Sequence, residues 1–238
     1  MPGRLPQTTD FSTDCVMSIT QPPAGGKPVN VLIILHGLGD THESMKILGE
    51  RMALPETVCI SIQGPTPIPF DIGGFHWGDD VVFDQGSDSL DPDTGFKKGT
   101  EVVLQITRQL QEKCDYTSRD ILLFGYGQGG MLALKIATES TELGGVISIG
   151  GPLPSDTVLP VPKSKTPIIA LGGSSNSTLT DSSITKLKNT FEFVEYKRWR
   201  RPGDGAPRNR EEMLPIMQFF ARRLRSRHGI PDGSIELS

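Results

Sequence analysis

The chain has 238 residues, 36% of them hydrophobic, which suffices for one sizeable buried core and is short for two independent domains. A net charge of −4 argues against a nucleic-acid partner, and the two basic clusters, Lys197 to Arg201 and Arg222 to Arg227, read as solvated faces. Cys15, Cys59 and Cys114 are an odd, widely spaced set that fits neither a disulfide framework nor a zinc site, and no apolar run reaches signal-peptide or membrane-span length. A soluble protein of a reducing, cytoplasmic compartment is expected, without cofactor or metal.

Short apolar runs alternate with amphipathic segments along the chain, as in βαβ units feeding a mostly parallel sheet with helices on both faces. Strands are expected at residues 15–19, 29–36, 57–63, 120–125, 145–150, 167–171 and 193–199, and helices at 43–52, 99–114, 128–138, 181–190 and 210–224. The runs at 31–35 and 121–124 lack polar alternation, which marks central strands covered on both faces. Between them lies a stretch at about 64–98 rich in Gly, Pro and Asp, too long for an ordinary connection and expected to form a cap-like excursion over the sheet. Residues 1–28 read as an N-terminal segment with the first strand, 29–225 as one domain and 226–238 as a mobile tail.

The run Ile121-Leu122-Leu123-Phe124-Gly125-Tyr126-Gly127-Gln128-Gly129-Gly130 passes from an apolar strand through a glycine-rich turn into a helix. In a G-x-S-x-G elbow the central residue sits on a strained turn that lifts its side chain above the sheet. Here Gly125 and Gly129 occupy the flanks and Gly127 the centre, so the hydroxyl that would form an acyl intermediate is missing.

Three landmarks come in one order: Leu35-His36-Gly37-Leu38-Gly39-Asp40, then Gln63-Gly64-Pro65, then Gly125 to Gly130, with Trp77-Gly78-Asp79 as a looser fourth. Over roughly 200 residues the chain resembles the phospholipase/carboxylesterase and acyl-protein thioesterase family of the α/β-hydrolase fold. The resemblance implies a triad in the order serine, aspartate, histidine, and each member is absent. The acid position falls on Asn176 within Gly172-Gly173-Ser174-Ser175-Asn176, and the histidine position on Ala206, placed by Glu212-Met213. The only histidines are His36, His42, His76 and His228, so none lies where a base is needed. Removing such a unit costs on the order of 10⁶ in turnover. A family member with impaired or lost catalysis is therefore expected. An active ester or thioester hydrolase using residues outside the family positions is the alternative.

The resemblance also implies two oxyanion donors, the backbone N–H groups of Leu38 and Gln128, which losing a serine side chain leaves in place. A small acyl or carboxylate ligand could bind there, at the positive end of the helix opening at Gln128; ordinary loop amides bound to water are the other reading. Asp40, His42, His76 and Trp77 are candidate pocket residues, each with a structural alternative, a solvated loop for the first two and packing under the cap for the others. His36 is expected to brace loops, Cys59 to be buried and inert, Asp181 to cap a helix, and Asp204 to lack a partner to orient. A rival reading takes Gly125-x-Gly127-x-x-Gly130 as a dinucleotide fingerprint, but the next strand ends in Gly150-Gly151-Pro152, without the acid that would grip a ribose.

Overall fold

The uninterrupted apolar runs become the middle of a twisted sheet. The computed structural model describes residues 3–12, 14–23, 27–69, 72–86 and 89–227. Strands β1 (Met17–Thr20) and β2 (Asn30–Leu35) lead to helix α1 (His42–Met52) and β3 (Thr57–Ile62). The excursion follows with four two-residue strands, β4 (Thr66–Pro67), β5 (Phe75–His76), β6 (Phe83–Asp84) and β7 (Ser89–Leu90), ahead of helix α2 (Lys97–Cys114). The rest runs β8 (Ile121–Tyr126), α3 (Gln128–Glu139), β9 (Gly145–Ile149), β10 (Ile168–Gly172), α4 (Asp181–Thr190), β11 (Val194–Arg198) and α5 (Arg210–Arg223).

The seven long strands are ordered β1-β3-β2-β8-β9-β10-β11, all parallel except β1. Every residue of β2, β3, β9 and β10 is buried, which follows from helices covering both faces. Alternation along β2 divides the core. Val31, Ile33 and Leu35 face α2 and α3 through Val103, Ile106, Leu132 and Ile136, whereas Leu32 and Ile34 face α1 and α5 through Met45, Met52, Ile216 and Phe220. β11 closes one edge of the sheet and carries Glu195, Lys197 and Arg198.

From β2 the chain moves outward through α1 to β3, while β8 pairs on the other side of β2. The carboxyl ends of β2 and β8 therefore flank a switch in strand order, the place where open α/β sheets form a crevice. Both glycine-bearing turns, 36–40 and 126–130, lie there.

Helix boundaries depart from the sequence pattern where a cap comes from elsewhere. α2 starts at Lys97, two residues earlier than expected, because the Asp79 carboxylate accepts the amides of Lys97 (2.9 Å) and Lys98 (3.0 Å). α4 is capped by Thr180, whose hydroxyl accepts the Ser183 amide, and the expected cap Asp181 sits in the first turn near Arg198. After α5, Asn30 exchanges two hydrogen bonds with the backbone of Arg225 (both 2.8 Å), and Ser226 and Arg227 bond Glu56. The remainder of the expected tail, with His228, lies outside the described residues. Among the described residues no helix is long and apolar enough to cross a membrane.

Candidate functional site

β8 enters the elbow at Tyr126, and Gly127 turns the chain into α3 with φ +44° and ψ −114°, a conformation that side-chain-bearing residues adopt only at a cost of about 1–3 kcal/mol. A Cβ built on Gly127 meets nothing within 4 Å, so the central position opens onto free space. The neighbouring glycines answer to packing instead. A Cβ at Gly125 would strike the backbone of Gly129, one at Gly129 the carbonyls of Leu35 and His36, and one at Gly130 the Ser148 hydroxyl at 2.5 Å. Strand β8, helix α3 and the end of β2 touch backbone to backbone.

Two amides lie on these turns. Among the described residues, the Leu38 and Gln128 N–H groups meet no acceptor, and Gln128 opens α3, where unpaired amides and the helix dipole favour negative charge. The Gln128 side chain is buried. Its Oε1 accepts the Trp77 amide (2.8 Å) and its Nε2 donates to the Pro92 carbonyl (3.1 Å), tying both arms of the excursion to the elbow.

His36 is fully buried and its two ring nitrogens have distinct tasks. Nε2 accepts the Gly64 amide at 2.8 Å, so the proton resides on Nδ1, which donates to the Gly37 carbonyl at 2.7 Å. Burial lowers its pKa, and an imidazolium could not accept from Gly64. The ring braces the loops after β2 and β3 and packs against Trp77, with centroids 5.1 Å apart. Trp77 has 0% exposure and donates its indole N–H to the His36 carbonyl at 2.9 Å, while His76 beside it is 1% exposed. Both are buried within the excursion.

Asp40 accepts the Thr41 amide and the Ser44 hydroxyl at the start of α1, and His42 is held between Gln63 (2.9 Å) and Glu43 (3.1 Å). The Cys59 thiol is buried and pushed up to about 12, which leaves it protonated and inert. It borders a cleft of about 210 Å³ with Thr20, Gly49, Ala53, Leu54 and Thr57. That cleft lies near the amino end of β3, whereas the elbow follows the carboxyl end of β8 in the middle of the sheet.

Asn176 is exposed at the tip of the loop after β10, with φ +49°, and Ala206 is exposed in the loop after β11. These loops are stitched together by other residues. Asp204, read from sequence as a carboxylate with no partner to orient, is surrounded by donors: the amides of Gly173 (2.9 Å) and Thr178 (2.8 Å) and the Thr178 hydroxyl (3.0 Å). Burial opposes its ionisation, but hydrogen bonds from Ser177, Gly173 and Thr178 outweigh this and hold the carboxyl below its ordinary value. Arg201, also missed, stacks 4.6 Å over Trp199 and pairs with Glu212 at 3.0 Å. Its guanidinium donates to the carbonyls of Gly203, Gly205 and Ala206, so the loop wraps around it. The sequence carried one signal for Arg201, an arginine eleven residues ahead of a glutamate at a helix start, and none for Asp204.

A mostly parallel sheet whose central strand turns through a strained glycine into a covering helix, with helices on both faces, is the α/β-hydrolase fold. The family model for phospholipase/carboxylesterase matches residues 18–217, and the chain belongs to that family. It is 30% identical over 218 residues to an uncharacterized hydrolase from Schizosaccharomyces pombe, covering 88% of this chain and 89% of that one. Among solved structures, a carboxylesterase from Mesorhizobium loti matches with a TM-score of 0.70 at 16% identity, over 93% of this chain and 99% of that one. Acyl-protein thioesterase 2 from Zea mays matches with a TM-score of 0.67 at 22% identity, over 88% and 99%. The glycines of the dinucleotide pattern are accounted for by the elbow and its packing.

Proposed function

We propose that the protein is a catalytically silenced member of the phospholipase/carboxylesterase family that keeps a pocket for a small acyl or carboxylate group and acts in the cytoplasm as a binding protein. The observation that carries this reading is Gly127: the backbone keeps the strained turn of a nucleophile elbow and the space above it is open, but there is no side chain to attack. The Leu38 and Gln128 amides would hold the ligand's oxygen. The exposed Asn176 and Ala206 supply neither acid nor base.

Purified protein is expected to turn over p-nitrophenyl butyrate and palmitoyl thioesters about 10⁵–10⁶-fold more slowly than an active relative. A rate within tenfold of that relative overturns the reading and points to a hydrolase using other residues. Gly127→Ser alone is expected to restore little, because it supplies a nucleophile without a base; adding Asn176→Asp and Ala206→His is expected to recover part of the rate. Thermal-shift titration with fatty acids, acyl thioesters and nucleotides tests binding. Stabilisation by acyl or carboxylate compounds supports the pocket, and stabilisation by NAD(H) alone would favour a nucleotide-binding module instead.

A further inference from the structure

We infer that Asp204 has taken over the positioning task that a relay hydrogen bond would perform between the loop after β10 and the loop after β11. The inference rests on the assignment of Asn176 and Ala206 to the two vacated positions. Those loops form a short ladder, with the Trp199 amide donating to the Gly172 carbonyl (2.8 Å), Ser174 to Arg201 (2.8 Å) and Gly203 to Ser175 (2.9 Å). They come so close that a Cβ on Gly173 would lie 2.5 Å from Gly203. At the end of this ladder stands the Asp204 carboxylate. One oxygen takes the Gly173 amide and the other takes Thr178, so a single side chain spans the whole turn that contains Asn176.

The hold extends to the elbow. The Thr178 hydroxyl has one proton, placed between the Gly150 carbonyl at 2.6 Å and the Asp204 carboxylate at 3.0 Å. Gly150 continues into Gly151, where a Cβ would lie 2.5 Å from the Gly127 carbonyl, and the Gly127 amide donates to Ile149 at 2.8 Å. Asp204 thus fixes Thr178, Thr178 fixes Gly150, and Gly150 and Gly151 form the wall beside Gly127. In this chain the carboxylate sits on the loop that carries the empty base position and reaches across to the loop that carries the empty acid position. It needs only backbone amides and the Ser177 and Thr178 hydroxyls as partners. This explains how both loops stay ordered with no histidine between them.

Asp204→Asn tests the inference because it keeps size and shape while presenting one acceptor and one donor to two amide donors. It is expected to lower Tm by about 4–8 °C at pH 7 and to speed hydrogen exchange at the Gly173 and Thr178 amides at least tenfold, with β2 and β8 unchanged. Adding Asn176→Asp with Ala206→His is expected to recover at least half of the lost Tm in the Asp204→Asn background and to give no gain in the wild type, since a restored pair would do work that Asp204 already does. If Asp204→Asn does not fold, Thr178→Val in the wild type gives the reading: faster exchange at the Gly150 and Gly151 amides supports the chain of contacts, and unchanged exchange overturns it. Unchanged protection at Gly173 and Thr178 in Asp204→Asn, or an equal Tm shift from the pair in both backgrounds, also overturns the inference. None of these measurements involves turnover, so ester hydrolysis by other residues would contradict the proposed function without altering them.

Discussion

Gly129→Ala is expected to leave little or no folded protein. A methyl group there points at the carbonyls of Leu35 and His36, which belong to the end of β2 and the turn after it and cannot rotate away as side chains do. Relief requires α3 to lift from β2, which uncovers Leu132 and Ile136 against Ile33 and Leu35. Ordinary overpacking costs about 1–3 kcal/mol, and a clash of backbone on backbone belongs at or above the top of that range, against a total stability on the order of 5–15 kcal/mol. Gly127→Ala is the matched control. It meets open space and bears only the cost of its left-handed backbone, about 1–3 kcal/mol, so it should fold. Urea midpoints of the two variants check the contrast; a Gly129→Ala midpoint equal to that of Gly127→Ala would mean that helix and strand are farther apart than described.

Trp77→Ala is expected to cost about 3–5 kcal/mol, the range for truncating a fully buried aromatic residue. The cost has a local component, because the ring packs on His36 and its N–H occupies the His36 carbonyl. Trp77→Phe separates the two effects: it keeps most of the packing and loses the donor, for about 1–3 kcal/mol. Protease digestion under native conditions should cut Trp77→Ala within the excursion well before the sheet and leave Trp77→Phe largely intact. Equal resistance of both variants and the wild type would show that Trp77 does not anchor the excursion.

The sheet was legible because its strands are short apolar runs whose identity does not depend on what covers them. The runs at 31–35 and 121–124 lie within β2 and β8, next to one another at the centre. The elbow was legible for a different reason, since Gly125, Gly129 and Gly130 each answer to a contact no larger residue allows. The excursion was not. Its strands are two residues long and are set by distant pairings such as Thr66 with His76, which leave no local period. Trp77 shows the same limit, because aromatic residues beside histidine in a polar stretch read equally well as pocket lining or as core. Asp204 was misread because its partners are amides 26–31 residues away, and amides have no signature in a sequence.

The charged residues of β11 matter beyond the single molecule. As the outermost strand this segment offers unpaired backbone groups that could template another chain, and long flat edges of that kind seed aggregation. Glu195 is engaged by Arg222 at 2.6 Å, and Lys197 and Arg198 are exposed, so an incoming strand would have to desolvate charge along most of the edge. A sheet with so apolar an interior is thereby kept from lengthening into fibrils on that side.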